Sequence, residues 1–326
     1  MFKKLGHKVK LMLRWSSIKI TRTVRFLTHD IWYLNTQDFA RWKGNLIKTL
    51  RTATLMISTF NRQKIGYQIS ALAYQSMLAV VPAIAVGLYM TDAIGLKDKF
   101  ADILYENLGQ TPLVETLVSA AEKIASIAES GLFGFISMAS FIWIVLSLMY
   151  TVRQVFNNVW QVEKEKSVLK AFGVIIGITI LSPFVIILFF TGTVFYSHIL
   201  DWLLPQEFFL SEHIRGLLSW ASFAGISVCL ISIMYKYIPG TKVHYRHALK
   251  AAVFAGIAFA AVQFLYLETQ LMVAKQSAVY GVLAAIPLFM IWLNLGWSII
   301  LYGAELSYAF QNVNKHKSAK TDYFEK

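Results

Sequence analysis

An ionisable or strongly polar side chain inside or beside an apolar segment is costly to keep from water, so such residues are where chemistry is sought first. Glu305 is the foremost. It follows the 29-residue run Gln276 to Ala304, which holds no Asp, Glu, Lys or Arg. Arg153 closes another uncharged run, Ser130 to Val152, at a matching depth. The two can form a pair between helices, or each can face interfacial water separately. Asn157, Asn158 and Trp160 follow Arg153, and Asn294 lies between Trp292 and Trp297. Polar amides in a helical bundle hydrogen-bond between helices, and that role is expected ahead of a substrate site. Pro82 and Pro287 stand inside apolar runs and free backbone carbonyls that either line a polar cavity or merely accompany a bend. Pro183 supplies a kink site, and Glu268 marks the outer end of a short run.

Enzymatic patterns are scarce, and no catalytic activity or cofactor is expected. The chain has no phosphate-cradling Gly-x-x-x-x-Gly-Lys-Ser/Thr loop, and no serine or cysteine in a nucleophile motif. His244 and His247 share a helical face, but zinc catalysis needs three protein ligands, and Lys242, Arg246 and Lys250 surround them as a basic collar. The single cysteine, Cys229, excludes an intrachain disulfide and reads as a small packing residue.

The elements that must position these residues are membrane spans. Six runs lack charged residues: Ile65 to Thr91, Ser130 to Val152, Ala171 to Leu200, Gly216 to Tyr235, Ala251 to Leu267 and Gln276 to Ala304. About 20 apolar residues at about 1.5 Å each cross a hydrocarbon core. The chain is 56% hydrophobic, with mean hydropathy +0.53. The expected fold is all-α, a polytopic bundle with spans near 67–91, 130–152, 170–197, 215–237, 249–269 and 282–306. A basic region, 1–64, precedes the membrane domain, 65–311, and a polar, disordered tail, 312–326, follows it.

Charge gives the spans a direction. Fourteen Lys and Arg precede residue 65, and four lie in each of the segments 153–170, 236–250 and 315–326. The intervening segments carry three, one and one. Lys and Arg concentrate in cytoplasmic loops, so both termini are expected inside. The same bias accounts for the net charge of +13 without nucleic acid.

Three segments depart from a plain span. In Asn45 to Phe60, Leu46, Ile47, Leu50, Ala53, Ile57 and Phe60 can share a face, with Lys48 and Arg51 elsewhere, and the helix would rest on anionic lipid or simply anchor topology. Residues 92–129 read as an amphipathic helical hairpin on the outer face, with Thr111-Pro112 as a helix start. The third run is longer than the bilayer requires. Gly173 and Gly177, and likewise Ala252, Gly256 and Ala260, have the four-residue spacing that lets helices approach closely in lipid.

Ser70-Ala71-Leu72-Ala73-Tyr74-Gln75-Ser76-Met77-Leu78-Ala79-Val80-Val81-Pro82 resembles the first-span signature of the YihY/BrkB family of bacterial inner-membrane proteins. Arg153 with Asn157 to Trp160, Tyr237-Ile238-Pro239 before Lys242-Val243, and Tyr280-Gly281 through Trp292 to Gly303-Ala304-Glu305-Leu306 resemble its later landmarks, in order. The resemblance covers roughly 45–311 and implies a six-helix protein of the bacterial inner membrane. The family's label ribonuclease BN finds no support, since the His-x-His-x-Asp-His motif of zinc-dependent tRNA processing nucleases is absent.

Three functions follow as expectations. The first is transport or lipid handling in the envelope, through a cavity bounded by Pro82, Pro183, Asn294 and Glu305. The second is a scaffold that binds an envelope protein partner through the outer hairpin. The third, disfavoured, is a nuclease using the basic N-terminal region. Membrane lipids are expected partners, a homo-oligomer stays open, and no nucleic acid is expected.

Overall fold

The computed structural model describes residues 26, 29–34, 39–92, 119, 123, 132–162, 173, 212–274 and 278–324. All regular structure among them is helical: a 3-10 turn, Asp30–Trp32, then α1 Arg41–Arg62, α2 Ile65–Asp92, α3 Leu132–Val159, α4 Glu212–Tyr237, α5 Tyr245–Ala274 and α6 Ala278–Phe324. Five of the six uncharged runs coincide with α2 to α6. The third run, apart from Gly173, and the hairpin expected at 92–129, apart from 92, 119 and 123, lie outside the described residues, as does Pro183.

Three described segments are long and apolar enough to cross a membrane: Trp220–Tyr237, Tyr245–Thr269 and Ile286–Lys315. Ile65–Val81 is a shorter apolar helix. Large apolar side chains point outward from these helices, among them Phe254, Ile257, Leu265 and Ile291. In water such faces would be a liability; in lipid they are the appropriate surface.

Local chemistry ends the helices where the chain must turn. Gln161 sits at φ 52°, in the left-handed region, just past α3. There the Val162 N–H donates to the Asn157 carbonyl (2.9 Å) and the Gln161 N–H to that of Asn158 (3.0 Å), the two bonds of a Schellman cap. Lys64, at φ 53°, interrupts regular helix between Arg62 and Ile65 in the same way. By contrast, Ser307 to Phe324 contains neither Gly nor Pro, and α6 continues to Phe324 where a disordered tail is expected.

The chain divides into two compact units, Gln63–Ser307, and Met1–Arg62 with Tyr308–Lys326. In the larger, α2 packs on α3 and α4 on α5. The α4–α5 pair is antiparallel: Trp220 meets Phe264 edge-on (5.2 Å between centroids), Val228 meets Gly256, and the Ser232 and Tyr245 hydroxyls approach to 3.4 Å. Gly256 is where the backbones come closest. A Cβ there would lie 2.5 Å from Val228 Cγ2 and 2.8 Å from its backbone nitrogen, so only glycine fits this crossing. Ala252 and Ala260 flank it, both buried. Gly173 meets nothing within 4 Å. Cys229 faces outward rather than packing, because Val228 and the buried Ser227 take the inward positions.

The smaller unit has its own core of Ile31, Trp32, Ile47, Leu55 and Ala309, with Leu34, Leu50, Met56 and Val313 against it. Arg51 is buried inside it. Its Nε donates to the Ile31 carbonyl at 2.9 Å and its Nη2 to that of Leu34, which ties α1 to the segment that precedes it. Burial pulls this guanidinium below its ordinary pKa, but arginine keeps its charge in proteins. The buried face of α1 is therefore Gly44, Ile47, Arg51, Thr52, Leu55 and Thr59. The expected grouping of Ile47 with Leu46 and Ile57, and the placement of Arg51 elsewhere, are corrected: Leu46 and Ile57 are exposed on the opposite side. Two charged-to-neutral bonds to carbonyls outweigh the apolar pattern that suggested the other face.

Candidate functional site

Tyr235, near the end of α4, organises one end of the larger unit. It is fully buried, because aromatic and small side chains close on it from several helices. Phe156 of α3 lies 6.2 Å away, centroid to centroid. On α6, the Tyr235 hydroxyl donates to the Ile300 carbonyl at 2.7 Å. Gly303 lies directly beneath it: a Cβ there would be 2.1 Å from that hydroxyl and 2.8 Å from Ala255 Cβ of α5. Glycine is required so that four helices can converge.

Two candidate residues stand beside this junction on α3. Arg153 is buried, 7% exposed, and its Nη1 donates to the Ile238 carbonyl at 3.3 Å. Asn157, one turn on, accepts the Gly240 N–H through Oδ1 at 2.7 Å. Asn158 donates to the Gln63 carbonyl at 3.4 Å. Arg153 and Asn157 thus hold the turn Tyr237-Ile238-Pro239-Gly240, which carries the chain from α4 towards α5. The two landmarks, far apart in sequence, meet here.

Glu305 is two residues beyond Gly303 and wholly buried, at 0% exposed. The structure brings Arg153 and Phe156 of α3, Tyr235 and Ile238 at the end of α4, and Ile300 and Gly303 within α6 to one junction, and Glu305 lies two residues further along α6. Glu305 on α6 and Arg153 on α3 are each withdrawn from bulk solvent. Such groups can bind a polar headgroup or ion, or exchange a proton, at a cost in solvation that packing alone does not require.

The other candidates separate from this site. Asn294 is half-buried, and its main-chain carbonyl accepts the Ser298 hydroxyl at 2.6 Å. The bonds between helices come from its tryptophan neighbours. Trp292 Nε1 donates to Gln263 Oε1 of α5 at 2.9 Å, and Trp297 Nε1 donates to the Ser76 hydroxyl of α2 at 2.9 Å. Trp292 also stacks on Phe289 and lies against Tyr266. Pro287 and Glu268 are exposed, and Pro82 lies within α2. His244 and His247 meet edge to face at 6.2 Å, and among the described residues no three His, Cys, Asp or Glu gather as metal ligands would.

Gln263, Ser76, Tyr235 and Gly303 were not singled out by sequence. Gly303 and Ser76 carried a signal only as parts of the Gly303-Ala304-Glu305-Leu306 and Ser70 to Pro82 landmarks. Several buried polar atoms have no hydrogen-bond partner among the described residues: Gln68 Oε1 and Gln75 Oε1 on α2, Ser227 Oγ on α4 and Ser307 Oγ on α6. Each costs roughly 1–3 kcal/mol unless a water or a bound group reaches it.

The model of the family described as virulence factor BrkB matches residues 56–324, an interval that contains every described candidate residue. Similar proteins are membrane proteins named for the UPF0761 family. One from Psychrobacter sp. (strain PRwf-1) is 26% identical over 265 residues, covering 78% of this chain and 47% of its own length. One from Alkalilimnicola ehrlichii is 27% identical over 271 residues, 80% of this chain and 59% of its own. One from Pseudoalteromonas atlantica is 25% identical over 292 residues, 86% of this chain and 94% of its own. The chain thus spans about half the length of the first two relatives. No solved structure matches. The match over most of the chain, together with its helices of membrane-spanning length, shows that this protein belongs to the virulence factor BrkB family of membrane proteins.

Proposed function

We propose that this protein moves phospholipid or a similarly amphipathic molecule across the bacterial inner membrane, using the junction of Arg153, Tyr235 and Glu305 as a polar station within a six-span bundle. Both termini then lie in the cytoplasm, a placement that the alternation of Lys and Arg supports, and the junction sits near the cytoplasmic face. The observation that carries the reading is the total burial of Glu305, two residues beyond Gly303 on α6, together with the burial of Arg153 on α3. A bundle selected only for stability does better with apolar residues of similar volume there. The orphaned oxygens of Gln68, Gln75, Ser227 and Ser307 support it, since a polar solute or water passing through would satisfy them in turn. No step in this reading needs a catalytic group or a cofactor.

The purified chain reconstituted in liposomes, with a fluorescent phospholipid followed across the bilayer, tests it. Transfer well above that of empty vesicles is expected. Transfer equal to that of empty vesicles, from correctly folded protein, would remove the reading.

A further inference from the structure

The face of α1 opposite its buried side is apolar and uncovered. Trp42 is 65% exposed, Leu46 53% and Ile57 57%. Their spacings of four and eleven residues return to one side of an α-helix, and Ala53 falls on the same line. Lys43 borders this stripe, with its Nζ 5.5 Å from the centre of the Trp42 ring, and Arg41 and Lys48 are exposed further round the helix. The 22 residues of α1 contain no Asp or Glu. The helix is thus fixed along one face by its own unit while the other presents an aromatic and aliphatic strip bordered by Lys43.

We infer that the Trp42, Leu46 and Ile57 stripe lies in the headgroup zone of a bilayer containing anionic lipid. The apolar strip is too narrow for a helix buried in a protein core and suits one lying at the membrane surface with its bases snorkelling to the phosphates. Tryptophan favours that depth, and the absence of any acidic residue leaves nothing on α1 to oppose an anionic surface. The inference is independent of any transport activity.

The test uses the full chain with Cys229→Ser, so that one new cysteine carries an environment-sensitive fluorophore. Leu46→Cys and Ile57→Cys report on the stripe, and Asn45→Cys, exposed but turned away from it, is the reference. Each is placed in nanodiscs of phosphatidylcholine, with and without phosphatidylglycerol, carrying a shallow spin-labelled lipid. The stripe labels should be quenched about twofold or more above the reference when phosphatidylglycerol is present, and less without it. Arg41→Gln with Lys43→Gln should remove most of that dependence. Equal quenching at all three sites overturns the inference. So does protection of the stripe labels with energy transfer between two chains in one disc, which assigns the stripe to a second copy. Protection in discs holding a single chain also overturns it and assigns the stripe to the protein's own residues.

Discussion

The crossing of α4 over α5 and the junction around Tyr235 belong to the same bundle and obey different rules. At the crossing, Gly256 admits the Val228 backbone, alanines line the approach, and the gain is close packing. At the junction, Gly303 makes room for a phenol, a buried arginine and Asn157 hold the adjoining turn by side-chain bonds, and the buried Glu305 follows two residues on along α6. Small residues serve both. The crossing uses them to bring backbones together, the junction to accommodate polar groups that a packing-only design would omit. Burial of charge is weak evidence for stability, so the second region is the one that needs a function.

Two substitutions separate the two regions and a third probes the α5–α6 contact outside both, each read as a change in thermal unfolding of the detergent-solubilised protein. Gly256→Ala should cost most, about 1–3 kcal/mol, because the new Cβ meets Val228 backbone atoms that cannot rotate away. An unchanged midpoint would mean that the crossing is looser than its geometry. Asn157→Ala should cost about 1 kcal/mol by leaving the Gly240 N–H without its acceptor, and should loosen the α4–α5 turn more than the crossing. Hydrogen exchange faster at Gly240 than at Gly256 would bear this out; equal changes would erase the distinction. Trp292→Phe should cost least from its lost bond, about 0.6 kcal/mol, since it removes one neutral bond to Gln263 and keeps an aromatic ring. A much larger loss would place Trp292 among the residues that determine the fold.

The sequence made the packing region far more legible than the junction. Ala252, Gly256 and Ala260 announce a close crossing because small residues every four positions have one common use in lipid. The uncharged runs mark α2 to α6 for a similar reason: composition over 20 residues reports the solvent. Arg153, Asn157 and Glu305 were visible as costly residues, yet their surroundings were not. Asn157 meets Gly240 across 83 positions and Tyr235 meets Ile300 across 65, and no local pattern encodes such distances. The buried face of α1 is not legible in the sequence because an arginine among apolar residues suggests solvent, whereas Arg51 finds two carbonyls inside its unit. Asn294 drew attention as an amide, while the indoles beside it make the bonds to α5 and α2.

The sharpest test is Glu305→Gln, which keeps the side chain's shape and removes its capacity to ionise. It should be measured twice, by thermal unfolding and by phospholipid transfer in liposomes. If the junction is a working site, the variant folds with a midpoint close to that of the unaltered protein while transfer falls to the rate of empty vesicles. Transfer that persists undiminished in the folded variant would contradict the claim and return Glu305 to a structural role.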